Sequence, residues 1–370
     1  MKKVKSILFR ATLEGKGVVN FDSNDQKYMW NQLKNKERST HDNVSFAKKN
    51  WYLKNGELTY KLKISSDCLR HEIFKEEFQF QSANVCNSPE LLLAAIANPS
   101  AILRGYMFAE KASVLKKRSC FTISDAEQTN DSVSALETFS RSGKKNTDEN
   151  QADNTFFKKE TIGEVQYACE GFVDLRELQF ISLDEIFDRL AFNSDYYPTY
   201  KTLLQTKIPE FNAEPKYYQL KNSEVKIPEY GILFSKENIV FLTKELFKRI
   251  FNINIIKSKS YAKITKLEYK LVYDCTVDTF YNDNDWITIS SEKDINEIDF
   301  DPELYFVEEE KETSEKLREM ITAAEEAKKL KNKQEKAKNN KKTSAVENHD
   351  DIKEKNDLNN ETETSETQNQ

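Results

Sequence analysis

The chain has 370 residues, a net charge of −6 at pH 7, 38% hydrophobic and 32% charged residues, with 23 Phe and 16 Tyr but only eight Gly and seven Pro. A hydrophobic share below the roughly 45–50% of globular chains, beside so many aromatics, describes an α+β body carrying a polar segment that does not fold, rather than a glycine-rich nucleotide fold. The acidic balance leaves nucleic acid open, because phosphates need only a local basic stripe and distant acids are screened beyond about 8 Å.

Five cysteines, odd in number, widely spaced and without a CxxC pair, argue against a zinc site and a disulfide framework. They read as free thiols in a reducing cytoplasm. No apolar run approaches the roughly 18 residues of a membrane span, and Met1–Arg10 is too short an apolar stretch for a signal peptide. The expectation is a cytoplasmic protein with no membrane partner.

In chain order, Val4–Leu13 predicts a strand running into the Gly15-Lys16-Gly17 turn, and Asp22–Arg38 a long loop. Trp51–Leu53 and Leu58–Ile64 flank Asn55-Gly56 as a hairpin. Ser65-Ser66-Asp67 offers caps for a helix over Leu69–Phe78, with Arg70 and His71 in its first turn. Cations there oppose the helix dipole, so either a phosphate sits at that end or His71 packs locally. Pro89 opens a helix over Glu90–Ala97, and Ile102–Ala109 predicts a strand carrying Arg104.

Gln128–Thr155, rich in Ser, Asn, Asp, Thr and Lys, reads as a long flexible excursion between two strand-like pieces, Ser119–Asp125 and Phe156–Cys169. Gly171–Ile181 predicts a strand, Leu183–Ala191 and Tyr197–Leu204 helices, and Pro209–Pro228 a loop holding Tyr217 and Tyr218. Lys236–Ile250 is an amphipathic helix with Val240, Phe241, Leu242, Leu246, Phe247 and Ile250 as its core face. Tyr261–Tyr273 and Trp286–Ile289 close the body as strands. The order suits a ferredoxin-like, RRM-type core with insertions. Residues 1–307 are the expected body, 308–342 a solvated Glu/Lys-rich helix, and 343–370 a disordered tail.

Among motifs, there is no HExxH, Walker A, GxGxxG or GxSxG, and His41, His71 and His349 are the only histidines. No cofactor or metal is implied. Carboxylate pairs such as Asp125 with Glu127 read as solvated surface. Lys116, Lys117 and Arg118 precede one strand, and Phe156, Phe157, Lys158 and Lys159 re-enter the body from the excursion. Aromatics beside cations at the foot of such a loop suit bases and phosphates, and they equally suit an ordinary strand with solubilising lysines.

Taken in order, several segments resemble one family, the RAMP-type backbone subunit (Cas seven) of variant type I-F CRISPR systems. They are Gly17-Val18-Val19-Asn20; Asn43-Val44-Ser45-Phe46 with Lys48; Ile64–Phe74 (ISSDCLRHEIF); Ile102–Tyr106 (ILRGY); and Lys117-Arg118-Ser119. Phe156–Thr161 (FFKKET) with Gly163, Glu164 and Tyr167, Leu178–Asp184 (LQFISLD) with Phe187-Asp188-Arg189, Gly231-Ile232-Leu233 and Lys259-Ser260-Tyr261-Ala262 follow.

The resemblance implies a ferredoxin-like palm with inserted subdomains, a β-hairpin thumb at about 119–167, and a charged, largely disordered C-terminal tail. It implies a non-catalytic subunit of a surveillance complex, in which copies line up along a guide (CRISPR) RNA and leave it free to pair with target DNA. Further implied partners are an end-cap RAMP subunit, a guide-processing endoribonuclease and a recruited helicase–nuclease. The implied RNA-binding residues are Asn43, Lys48, Arg70, His71, Arg104, Lys117, Arg118, Phe156, Phe157, Lys158, Lys159 and Tyr261. Two other readings stay open: a RAMP-type RNA endonuclease using His41 or an Asp of the Asp22–Asp42 loop, and an interaction protein whose charged tail is the working part.

Overall fold

The computed structural model describes residues 2–21, 44–75, 88–109, 114–144, 152–184, 189–224, 227–274 and 284–323. Contacts divide the chain into two units, one of Met1–Lys221 with Glu229–Val307, the other of Asn222–Pro228 with Glu308–Gln370.

The first unit opens with β1 (Ser6–Lys16), β2 (Val44–Ser45), β3 (Lys49–Lys54), β4 (Glu57–Ile64) and helix α1 (Ser66–Ile73). Helices α2 (Pro89–Ile96) and α3 (Pro99–Arg104) follow, then β5 (Tyr106–Ala109), β6 (Val114–Lys117), β7 (Phe121–Ile123) and β8 (Ala126–Gln128). A long hairpin comes next, β9 (Ser134–Lys144) and β10 (Ala152–Ile162), leading into β11 (Glu164–Asp174), α4 (Leu175–Leu178) and β12 (Phe180–Ser182). The unit closes with α5 (Tyr197–Gln205), β13 (Lys216–Leu220), β14 (Glu229–Leu233), α6 (Lys236–Phe251), β15 (Asn254–Lys257), β16 (Ser260–Val272), β17 (Ile287–Ile289), α7 (Glu292–Asn296) and β18 (Phe306–Glu308).

Among the described residues, nine strands form one antiparallel sheet in the order β15-β16-β1-β11-β8-β4-β3, with β7 also on β11 and β17 on β16. β1, an interior strand between β16 and β11, alternates. Ile7, Phe9, Ala11 and Leu13 are buried on one face, while Glu14 and Lys16 on the other are exposed. Phe9 stacks on Phe121 at 5.7 Å and meets Phe247 of α6 edge-on at 6.1 Å, and Phe74, just after α1, meets Phe121 at 6.1 Å. Helices α1 and α6 therefore bring their apolar sides to the same face of the sheet. Gly171, paired with Phe9 across β1 and β11, leaves room for that ring: a Cβ there would lie 2.0 Å from Phe9 Cζ.

The hairpin at Asn55-Gly56 forms as the sequence predicts, with positive φ at both residues (53° and 82°). So do the first strand, the helix opened by Pro89, α5, α6 and the closing strands. α6 buries Ile239, Leu242, Thr243, Leu246, Phe247 and Ile250, so its core face is rotated from the predicted one, and Val240 and Phe241 stand at its edge.

Five expectations are corrected. Ile102–Ala109 is not one strand: α3 runs to Arg104, capped by the Asn98 side chain at its start, and only Tyr106–Ala109 is extended. Gly171–Ile181 is broken by α4, which Asp174 caps. Pro209–Pro228 contains β13, held against β14. Gln128–Thr155 is mostly not an irregular excursion, since β9 and β10 pair from Ser134↔Ile162 to Lys144↔Ala152. At 183–191 the described residues are not helical, and 185–188 lie outside them, as do 22–38.

A smaller sheet, β12-β14-β13-β18, packs Phe180 on Phe306 at 4.4 Å. Val4 exchanges backbone bonds of 2.8 Å with Asp301 and Glu303. In the second unit 311–323 is helical, with Lys311–Glu315 and Glu312–Lys316 ion pairs. No helix of the described residues is long and apolar enough to cross a membrane.

Candidate nucleic-acid interface

Five distant stretches meet where β1 ends. Gly17 takes φ +74° and its amide donates to the Ile162 carbonyl at 2.9 Å. A Cβ on Gly17 would stand 2.7 Å from Ser260 Cβ and 2.9 Å from the Lys259 carbonyl, so the β15–β16 turn closes on this glycine. Ser260 Oγ donates to the Val18 carbonyl at 2.8 Å. Three residues on, the Asn20 carbonyl accepts from the Lys48 amide at 3.0 Å, and its Nδ2 donates to Ser65 Oγ at 3.0 Å.

Ser65 also caps α1. The Ser66 amide donates to Asp125 Oδ1 at 2.8 Å, and Lys63 Nζ reaches Asp125 Oδ2 at 2.8 Å. Burial acts against the charge of Asp125, but the Lys63 and Ser66 bonds outweigh it and hold the carboxyl below its ordinary range. β2 pairs in parallel with β10, Val44 opposite Lys158 and Ser45 opposite Lys159. Just beyond, Lys49 Nζ bonds both carboxylate oxygens of Glu160 at 2.8 Å, and Glu160 accepts the Ala47 amide at 2.9 Å.

This end is cationic and aromatic at its surface. Lys16, Lys257, Lys259 and Lys263 are exposed, as are Tyr261 and Phe21, and Lys48 is half-buried. Acids interleave, Glu14 opposite Lys263 and Glu164 opposite Lys16. Lys48 and Lys257 both act on the Cys68 thiol. Its pKa nonetheless stays raised by burial, with Glu72 adding to the effect. The open face of the main sheet differs. There Glu268 takes Arg10 at 2.8 Å and Lys266 at 3.0 Å, and Arg10 lies over Trp286 at 4.4 Å, so charge pairs and an indole fill it.

Of the residues expected to bind RNA, Lys48 and Tyr261 stand at this end. Phe156, Phe157, Lys158 and Lys159 lie on β10 beside it, and Asn43 is outside the described residues. Arg70, Arg104, Lys117 and Arg118 gather elsewhere, around the ends of α1 and α3.

Arg70 and His71 are in the last turn of α1, not the first, because the helix begins at Ser66. There their charges agree with the dipole, and the case for a phosphate at the helix start disappears. Arg70 donates to the carbonyls of Phe121 at 2.8 Å and Arg104 at 3.0 Å and lies over the Phe121 ring. Lys117, expected on the RNA face, points inward instead: its side chain is 8% exposed and Nζ donates to the Glu177 carbonyl at 2.9 Å. Arg118 is exposed, 3.6 Å from Glu177, and His71 is exposed.

Sequence reading missed Lys16, Lys257 and the Lys49–Glu160 pair. The last had a signal, a lone Glu set between lysines and Ile162 at the strand period. Among the described residues no three His, Cys, Asp or Glu gather as around a metal ion.

Fold and surface together define an α+β protein with a basic, aromatic sheet end flanked by a long hairpin. Residues 3–297 match the family described as type I-Fv CRISPR-associated protein Cas7fv-like, and the chain belongs to that family. No curated protein matches it. Among solved structures, a chain titled "CRISPR RNA-guided surveillance complex" is 10% identical, over 71% of this chain and 68% of that one, with a TM-score of 0.30. Another, titled "CRISPR RNA-guided surveillance complex, pre-nicking", is 8% identical over 71% and 75%, with a TM-score of 0.33. At these scores the likeness transfers no feature.

Proposed function

We propose that this chain is the non-catalytic backbone subunit of a CRISPR surveillance complex, several copies of which line the guide RNA and present it to target DNA. The observation that carries the reading is the convergence of stretches 17–20, 44–49, 63–66, 158–163 and 257–261 at one basic end of the sheet. These are the stretches that carry much of the family resemblance, and family membership is consistent with RNA as their ligand.

The order β16-β1-β11-β7, all antiparallel with helices on one face, supports a ferredoxin-like palm. The β9–β10 hairpin acts as the thumb, folding over the RNA with Phe156 and Phe157 among the bases and Lys158 and Lys159 at phosphates. Lys48, Lys257, Lys259 and Tyr261 hold the strand where it crosses the sheet end. His71, Arg104 and Arg118, around the ends of α1 and α3, offer a second cationic patch to the strand. Arg70 and Lys117 serve the fold instead. Hydrogen bonds fall on phosphate and sugar and the rings stack without reading sequence, because a guide of variable sequence allows no base code.

An end-cap subunit, a guide-processing endoribonuclease and a recruited helicase–nuclease complete the cytoplasmic assembly. The test is purification with a CRISPR array transcript at moderate salt, followed by absorbance ratio and mass. A large RNase-sensitive particle with RNA of defined length is expected, and an RNA-free monomer overturns the reading.

A further inference from the structure

The long hairpin needs a fixed angle to the body if it is to close on RNA at a regular step, and one feature at its foot supplies it. Glu160 and Lys49 are 4% and 3% exposed. Lys49 sits in β3 opposite Leu62, its ammonium 4.6 Å from the Tyr60 ring and bonded to both oxygens of Glu160 at 2.8 Å. Glu160 also takes the Ala47 amide, which fastens the β2–β3 link to the same carboxylate. Ile162, next inward on that side of β10, is buried, whereas β9 is exposed opposite it at Ser134 and Ala135. Glu160 thus anchors the foot of the hairpin to β3 and the β2–β3 link.

A buried ion pair is weak as a source of stability, because desolvation offsets most of the attraction; two apolar residues of similar volume often do as well. What they lack is direction. A carboxylate that must keep short, aligned bonds to both the Lys49 ammonium and the Ala47 amide has few places to sit, and a greasy contact has many.

We propose that the Lys49–Glu160 pair is a positioning device that sets the hairpin's angle, and through it the spacing at which each copy grips the guide. The proposal rests on the guide-RNA reading above. The double variant K49M/E160L keeps the volume and removes the charges, and E160Q keeps the Ala47 acceptor while removing the charge. Each is compared with the wild type in two measurements: amide exchange of 44–49 and 158–162 in the free protein, and the nuclease footprint on the guide in assembled particles.

For K49M/E160L we expect at least tenfold faster exchange at those amides with an unchanged melting temperature, and a footprint whose regular spacing is blurred. E160Q should move both readouts the same way, less far, and serves as the test should the double variant not fold. Wild-type exchange or a wild-type footprint in a folded variant overturns the device. Failure of the wild type to carry RNA overturns the guide-RNA reading instead.

Discussion

Phe9 and Gly171 show how a single residue can be dictated by one that lies far away in sequence. The ring fills the place of the missing side chain, and the Thr122 carbonyl closes the same space, 2.5 Å from where a Cβ would be. Phe9 cannot swing aside, because Phe121 and Phe247 hold it on two sides. Gly171→Ala should therefore cost about 1–3 kcal/mol by overpacking, and Phe9→Ala about 3–5 kcal/mol by its cavity. Urea denaturation of the two single variants and the double should show less than additive losses, since each change relieves part of the other.

Arg70 makes the same point with polar chemistry. Its planar fork serves two carbonyls at once, so Arg70→Ala should lose about 2 kcal/mol, the scale of charged hydrogen bonds. Arg70→Lys should recover little of it, since an ammonium has no fork. Thermal melts of the two variants check this. An arginine in sequence does not say which carbonyls it will meet.

Among the elements, α1 shows where local signals stop. Ser65, Ser66 and Asp67 were visible as candidate caps, but the helix starts early because Asp125, about sixty residues on, takes the Ser66 amide. That bond has a pH signature. Asp125 has a lower pKa folded than unfolded, so its contribution is complete above the ordinary aspartate value of about 3.9 and is lost as pH falls through the folded value. The stability gap between wild type and Asp125→Asn should be open at pH 6 and close below about pH 3.9, followed by urea midpoints.

The β9–β10 hairpin was hidden for another reason. Neither strand of it alternates apolar with polar residues along its length, so its composition looks like loop. In the strand read at Ile102–Ala109 the apolar run concealed a helix end. Asn98-Pro99 had announced that helix, and Gly105 finishes it. Strongly patterned elements, β1 and α6 above all, were legible because burial on one face leaves a period in the sequence.

At the scale of the whole molecule, the legible part was the series of motifs and the illegible part was their meeting. β1 takes its neighbours from 164–174 and 260–272, pairings of long range that no local pattern encodes. Such topology also predicts slow folding, since loop closure must precede reward.

For binding, Lys48, Lys257 and Lys259 changed together to Ala should weaken RNA of any sequence alike. The slope of log affinity against log salt should fall by about 0.7 for each phosphate no longer neutralised, the figure for single strands. Fluorescence anisotropy over a salt series on two unrelated RNAs measures both. Truncation after Val307 should leave assembly on RNA intact, and sedimentation of the shortened protein checks it.

The exchange of backbone bonds between Val4 and residues 301 and 303 ties the two ends of the folded body to each other. The order in which its parts are written in the gene is therefore partly arbitrary. A circular permutant that joins 307 to 2 through a short linker and opens at the exposed Asn55-Gly56 turn, where a Cβ on Gly56 meets nothing within 4 Å, would keep every neighbour of β1. Its new termini would emerge at the tip of β3 and β4, giving a fusion or a fluorescent label a place to leave the body at the β3 edge of the main sheet.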